Sequence, residues 1–139
     1  MKKFLNLSIV YAVAAMVGGL FYREFTKLMN FTGVTVLGKV HTHLFLLGMV
    51  VFLIVALFAS RADLTKSKSF RIFLPTYNAG VVLTVVMMVV RGVFEVTGTP
   101  LSSGASAAIS GIAGIGHILT GAGILLLLIS LRKTFTAGK

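Results

Sequence analysis

Three histidines are the residues of this chain best suited to cofactor or metal chemistry. His41 and His43 stand two positions apart in the stretch GKVHTHLFLLGMVVFLIVALFASR, at the start of a long apolar run. His117 lies inside the last apolar run of the chain. A neutral imidazole nitrogen is an axial ligand of haem iron and a common ligand of zinc and copper. The three histidines therefore predict a cofactor or metal site, provided that the fold brings them together.

Further residue types add chemistry to these imidazoles. Arg91 carries a guanidinium that pairs well with an anionic group such as a haem propionate. Glu95 follows Arg91 by four residues, which is the spacing of a salt bridge on a helix. Met87 and Met88 offer thioether sulfur, which favours Cu(I). The glycines that would leave room for a flat macrocycle are Gly48, Gly114 and Gly121.

The composition determines the solvent that surrounds these groups. Of the 139 residues, 57% are hydrophobic and only 12% are charged, and the mean hydropathy is +1.01. Such a chain has too little polar surface for a soluble globule, so we predict an integral membrane protein with one domain, residues 1–139. It contains no cysteine. Disulfides, thiolate metal sites and iron–sulfur clusters are therefore excluded.

Four apolar runs are each about 20 residues long, the length that crosses a bilayer core as a helix. They cover residues 4–22, 40–59, 72–94 and 106–131. We predict an all-α fold in which four transmembrane helices form an up-down bundle. Lys2 and Lys3 are also typical of a signal peptide, but the first run continues to Tyr22 and is interpreted as a retained helix.

The positive-inside rule gives this bundle an orientation. If both termini are cytoplasmic, nine cations lie on that side: Lys2, Lys3, Arg61, Lys66, Lys68, Arg71, Arg132, Lys133 and Lys139. The four on the other side are Arg23, Lys27, Lys39 and Arg91. The net charge of +10 then reflects topology and attraction to anionic lipid. No basic patch with interleaved aromatics occurs, so we expect the lipid bilayer, and not nucleic acid, as a partner.

Small and polar residues recur at spacings of three and four in the first, third and fourth predicted helices, and we expect these stripes to face one another. They are Ser8, Tyr11, Ala15, Gly18, Tyr22 and Thr26; Tyr77, Gly80, Thr84, Met87, Arg91, Glu95 and Gly98; and Ser103, Ser106, Ser110, Ala113, Gly114, His117, Thr120 and Gly121. Counted at about 1.5 Å per residue from the cytoplasmic cations, the ionisable members fall in the outer third of the bundle. His117 is the strongest pointer to a site, because an ionisable group at that depth is costly unless it is paired or functional.

The two histidines of the second helix cannot share a face, since they lie about 200° apart around its axis. His41 aligns with Gly48, whereas His43 aligns with Lys39 and Val50. We therefore expect His41 and His117 to point into one cavity, with His43 at its periphery or at a contact between subunits. The sequence leaves open which of the two faces the cavity, and whether the protein is a homo-oligomer.

The segments FYREFTK, VHTHLFLLGM and GTPLSSGASAAISGIAGIGHI resemble an uncharacterised family of short bacterial membrane proteins, a domain of unknown function with four predicted helices. The resemblance implies this fold and a location in the bacterial cytoplasmic membrane. Alone, HTHLFLLG is similar to the haem-copper oxidases, whose catalytic subunit carries a His-x-His pair near the outer end of one helix.

Three functions remain open. The first is binding of haem b through imidazoles of the second and fourth helices, with Arg91 on a propionate, for redox chemistry or haem handling. The second is a copper or zinc site for binding or transport, with ligands from His41, His43, His117, Met87, Met88 and Glu95. The third is a non-redox pocket for a small anionic or lipid-like ligand. Hydrolysis is not expected, because the three acidic residues cannot meet His117 at one depth.

Overall fold

The computed structural model describes residues 1–136 and consists of helices, with no strand in that range. The four long helices are α1 (Lys2–Leu28), α2 (Val36–Ala59), α3 (Lys68–Thr97) and α4 (Ser103–Thr136). All four are long and apolar enough to cross a membrane, which confirms the predicted fold class. Lys139, one of the cations used to predict the orientation, lies outside the described residues.

Each helix is longer than the apolar run that predicted it. α1 continues through polar residues such as Arg23 and Lys27 and ends at Leu28, shortly before Asn30 turns the chain with a φ of 50°. α3 ends at Thr97 and is followed by Gly98, whose φ of 65° is a left-handed conformation that glycine adopts without strain. Polar residues also form the backbone hydrogen bonds of a helix. Because hydropathy detects only the apolar part of each helix, it underestimates the helix length.

α2 changes its helical form along its length. It starts as a 3₁₀ turn (Val36–Lys39) and a short α segment (Val40–His43), widens into a π segment (Leu44–Val50) and ends as an α-helix (Val51–Ala59). Two hydroxyl groups from other helices bond to carbonyls of the π segment. Tyr77 of α3 donates to the Leu47 carbonyl and Ser8 of α1 donates to the Met49 carbonyl, both at 2.8 Å. Because lipid offers no such donors, α1 and α3 stabilise the irregular segment.

Aromatic rings fill the space between α1, α2 and α3. Phe52 of α2 is fully buried, and its ring stacks on Tyr11 with centroids 5.6 Å apart. The rings of Phe73 and Tyr77 on α3 lie within 6.2 Å of it. The predicted inward stripe of α1 is confirmed by the burial of Ser8, Tyr11 and Ala15. The space between these three helices is thus filled by aromatic side chains as well as by small and polar ones.

α4 packs along α3, and it meets α2 where the ring of Phe135 lies 5.5 Å from that of Phe58. The contact with α3 is close because glycines face each other: a Cβ on Gly80 would lie 2.5 Å from the Thr120 nitrogen, and one on Gly123 would lie 2.8 Å from the Tyr77 Cβ. Gly116 and Thr120 are buried there, whereas His117 and Gly121 are exposed. The predicted inward stripe of α4 is therefore correct for Thr120 and wrong for His117 and Gly121. Both faces of the helix carry glycine, and only one of them packs.

Candidate functional site

The end of the bundle opposite the chain termini, which we name the distal end, is tied together by polar side chains. The Glu95 carboxylate of α3 accepts the Val36 backbone N–H at 2.8 Å. The Thr35 hydroxyl donates to the Gly92 carbonyl at 3.3 Å, and Leu37 packs directly on Gly92. These contacts fix the start of α2 against α3, and so they fix the helix that carries His41 and His43.

Arg91 joins α3 to α4. Its Nη2 donates to the Ser106 carbonyl at 3.1 Å and to the Ser110 hydroxyl at 2.8 Å. The spacing of Arg91 and Glu95 suggested an ion pair, and that interpretation is wrong. Within residues 1–136 the one salt bridge joins Arg23 and Glu24 at 2.9 Å. Arg91 and Glu95 separate because each one bonds to a different neighbouring helix.

His41 is half-buried against α1. A Cβ on Gly19 would lie 3.6 Å from the Cβ and the Cγ of His41, an ordinary van der Waals distance, so the imidazole packs beside this part of α1. Nδ1 of His41 is buried and has no hydrogen-bond partner within the described residues. An unpaired buried nitrogen is uncommon, because most buried polar atoms find a partner. Nδ1 of His41 therefore differs from Nδ1 of His43 and of His117, each of which has a carbonyl partner.

His43 and His117 share a different arrangement. Nδ1 of His43 lies 2.9 Å from the Lys39 carbonyl, and Nδ1 of His117 lies 2.8 Å from the Ala113 carbonyl. A carbonyl oxygen only accepts, so Nδ1 carries a proton in both residues, and in the neutral imidazole the lone pair is then on Nε2. Metal-binding histidines usually hold their second nitrogen in this way. Both imidazoles are therefore in the tautomer that suits coordination through Nε2.

The three glycines that were predicted to leave room for a macrocycle have different surroundings. Gly114 and Gly121 lie about one turn on either side of His117, and a Cβ on either would meet no described atom within 4 Å. Gly48 has no such space, since a Cβ on it would lie 2.3 Å from the Tyr11 ring. Gly48 therefore serves helix packing, whereas Gly114, His117 and Gly121 form an open strip along α4, which we name the α4 strip.

The structure places the predicted ligands on three different helices. His41 lies against α1, and His117 lies exposed on α4, which packs on α3. Among residues 1–136, no three His, Asp or Glu side chains form a group that could hold a metal ion. Met87 and Met88 are half-buried on α3.

A family model described as a protein of unknown function (DUF2871) matches residues 1–134. The chain belongs to this family. The match confirms the resemblance that the sequence suggested, and the family description carries no activity. No curated protein and no solved structure matches the chain.

One polar residue of this DUF2871 protein that the sequence did not single out is Asn78 of α3. The Tyr11 hydroxyl donates to the Asn78 side-chain oxygen at 2.8 Å, and the Asn78 amide donates to the Leu74 carbonyl at 2.7 Å. Tyr11 and Asn78 also line an apolar cavity of about 390 Å³, which includes Leu44 and Val82. Asn78 could have been found from the sequence, because a polar amide side chain inside the apolar run 72–94 needs a hydrogen-bond partner.

Proposed function

We propose that this protein binds haem b in the membrane through imidazoles of α2 and α4, and that the haem lies between two copies of the chain. The observation that carries the proposal is His117. Its imidazole is exposed on a membrane-spanning helix, its Nδ1–H is held by the Ala113 carbonyl, and Nε2 is left with a lone pair. An ionisable side chain on the outer face of a span is costly unless it has a partner. An iron atom at Nε2 would be such a partner.

The α4 strip supports haem over a smaller ligand. Gly114 and Gly121 leave the backbone open on both sides of His117, which suits a flat macrocycle bound face-on to an imidazole. Arg91 already donates to Ser110, two turns before His117 on the same helix. The guanidinium has five N–H groups, so further donors remain for a propionate. When bound, the haem would supply one-electron redox chemistry.

The second ligand comes from α2 of another copy. α2 and α4 each pack on α3, and His117 is exposed on α4, which supports an α2 imidazole of a second copy as its partner. The sequence favoured His41 for this role. The hydrogen bonds favour His43, because its Nδ1–H is held by the Lys39 carbonyl in the same way as that of His117, whereas Nδ1 of His41 is buried against α1 without a partner.

Absorbance spectroscopy tests the proposal directly. The protein is purified in mild detergent from cells supplied with a haem precursor, and its haem content is measured as the pyridine haemochrome. We expect a Soret band in the wild type, a loss of about tenfold or more in His117→Ala and His43→Ala, and near-normal content in His41→Ala. A haem-free wild type, or a His117→Ala variant that keeps its haem, would overturn the proposal. Bound copper or zinc without a Soret band would favour the metal site instead.

A mixing experiment tests whether the ligands come from two copies. Two differently tagged variants, His117→Ala and His43→Ala, are expressed together, and assemblies that carry both tags are isolated. In a two-fold dimer one of the two sites then regains both imidazoles, so about half of the wild-type haem should return. If both ligands came from one chain, the mixture would bind no more haem than either variant alone.

A further inference from the structure

A polar cavity of about 480 Å³ lies at the end of the bundle opposite the distal end, between the α2–α3 turn and the end of α4. Its lining consists of three lysines, one carboxylate and three hydroxyl side chains: Lys66, Lys68, Lys133, Asp63, Ser67, Ser69 and Thr134. We propose that this cavity binds the phosphate of an anionic phospholipid. The proposal does not depend on haem, since it concerns the other end of the molecule and other residues.

The charge of the lining favours an anion. Three ammonium groups stand against one carboxylate, a balance of +2. None of the three lysines forms a salt bridge, because the one salt bridge in residues 1–136 is that of Arg23 and Glu24. Asp63 instead accepts hydrogen bonds from the hydroxyl and the backbone N–H of Thr65, which lower the pKa of its carboxyl. The cavity therefore keeps an excess of positive charge that attracts anions.

The donors around the cavity suit a phosphate. Lys66 and Lys68 come from the α2–α3 turn and Lys133 from the end of α4, so the ammonium groups reach the cavity from two distant parts of the chain. Lysine binds phosphate as a mobile point charge. α3 begins at Lys68, beside the cavity, and the unpaired N–H groups of its first turn add donors with a partial positive charge.

The position of the cavity favours a lipid over free phosphate. It lies where α3 begins and α4 ends, which is the level of the phospholipid headgroups for helices that span the membrane. Apolar side chains are exposed on both helices next to it, among them Ile72 at 44% and Ile129 at 45%. A lipid whose phosphate occupies the cavity can lay its acyl chains along these side chains. The cavity is also within the range of small-molecule sites and has room for a glycerol headgroup.

Native mass spectrometry of the full-length protein in detergent tests the proposal, with phosphatidylglycerol as the probe and phosphatidylcholine as the neutral comparison. We expect phosphatidylglycerol to bind more tightly. The variant Lys66→Gln/Lys68→Gln/Lys133→Gln should lose about tenfold or more of this affinity, because each lysine attracts the anionic headgroup. Asp63→Asn keeps a capping oxygen and removes the negative charge, so it should bind phosphatidylglycerol more tightly than the wild type.

The matched control removes three charges at the same end of the molecule but outside the cavity, as Lys2→Gln/Lys3→Gln/Arg61→Gln. It should keep the wild-type affinity for phosphatidylglycerol. An equal loss in both triple variants would overturn the proposal, because it would indicate diffuse surface charge. Inorganic phosphate is added in a separate series. If it displaced phosphatidylglycerol at equal concentration, the ligand would be free phosphate, and the lipid assignment would be wrong.

Discussion

Gly48 shows how one missing side chain controls the packing of three helices. Tyr11 of α1 occupies the position that a Cβ on Gly48 would need, with ring atoms 2.3 Å away. The ring cannot easily withdraw, because it stacks on Phe52 and its hydroxyl donates to Asn78. The close approach of α1 and α2 at this level therefore requires glycine.

Gly48→Ala should lower the free energy of unfolding by about 1–3 kcal/mol, the usual cost of overfilling a packed interior. Unfolding is followed by circular dichroism during titration of a mild-detergent sample with dodecyl sulfate. Gly104→Ala is the matched control, since a Cβ on Gly104 meets no described atom within 4 Å. It should be neutral or stabilise the helix by up to ~1 kcal/mol. Equal stability of the two variants would show that Tyr11 does not limit the space at Gly48.

At the scale of elements, the form of α2 depends on its neighbours. Its π segment receives hydrogen bonds from Tyr77 and Ser8, and its first turn receives one from Glu95. A sequence of apolar residues such as Leu44–Val50 contains no local reason to widen the helix. The irregular form follows from donors that stand elsewhere in the chain.

Tyr77→Phe and Ser8→Ala should each raise amide hydrogen exchange in Leu44–Val50, because each removes a donor to a carbonyl of that segment. The loss of one such bond corresponds to about 1 kcal/mol and a several-fold faster exchange. Tyr11→Phe is the control, because its hydroxyl bonds to Asn78 and not to α2. Exchange that rises equally in all three variants would show that the hydroxyls act on overall stability alone.

Glu95→Ala should loosen the start of α2. The variant removes the carboxylate that accepts the Val36 N–H at the first residue of α2. The loss of a capping group at a helix N-terminus lowers stability by about 1 kcal/mol. Amide exchange of Val36–Lys39 should therefore become several-fold faster, and haem binding should weaken with it. Glu24→Ala is the matched control, because Glu24 pairs only with the exposed Arg23. Unchanged exchange in Glu95→Ala would contradict a capping role.

At the scale of the whole molecule, the sequence predicts the number and the order of the spans, because about 20 apolar residues are needed wherever a helix crosses lipid. It does not predict which face of α4 packs, since Gly116 and Gly123 lie on one face and Gly114 and Gly121 on the other. It also cannot show that Arg91 and Glu95 turn away from each other, because their partners Ser110 and Val36 belong to other helices. The number of apolar helices was readable from the chain, whereas the partners of Arg91 and Glu95 on other helices were not.

The orientation in the membrane relates the two proposed sites to each other, and it is a prediction that labelling can test. The chain contains no cysteine, so a thiol introduced at one position is the only one present. Lys66→Cys should react with a membrane-impermeant maleimide only from the cytoplasmic side, and Ser103→Cys only from the outside. Such a pattern would place the lysine cavity at the leaflet whose surface charge is negative and the histidines near the outer surface. The reverse pattern would place the histidines near the cytoplasm, and nine of thirteen cations would then lie outside, against the positive-inside rule.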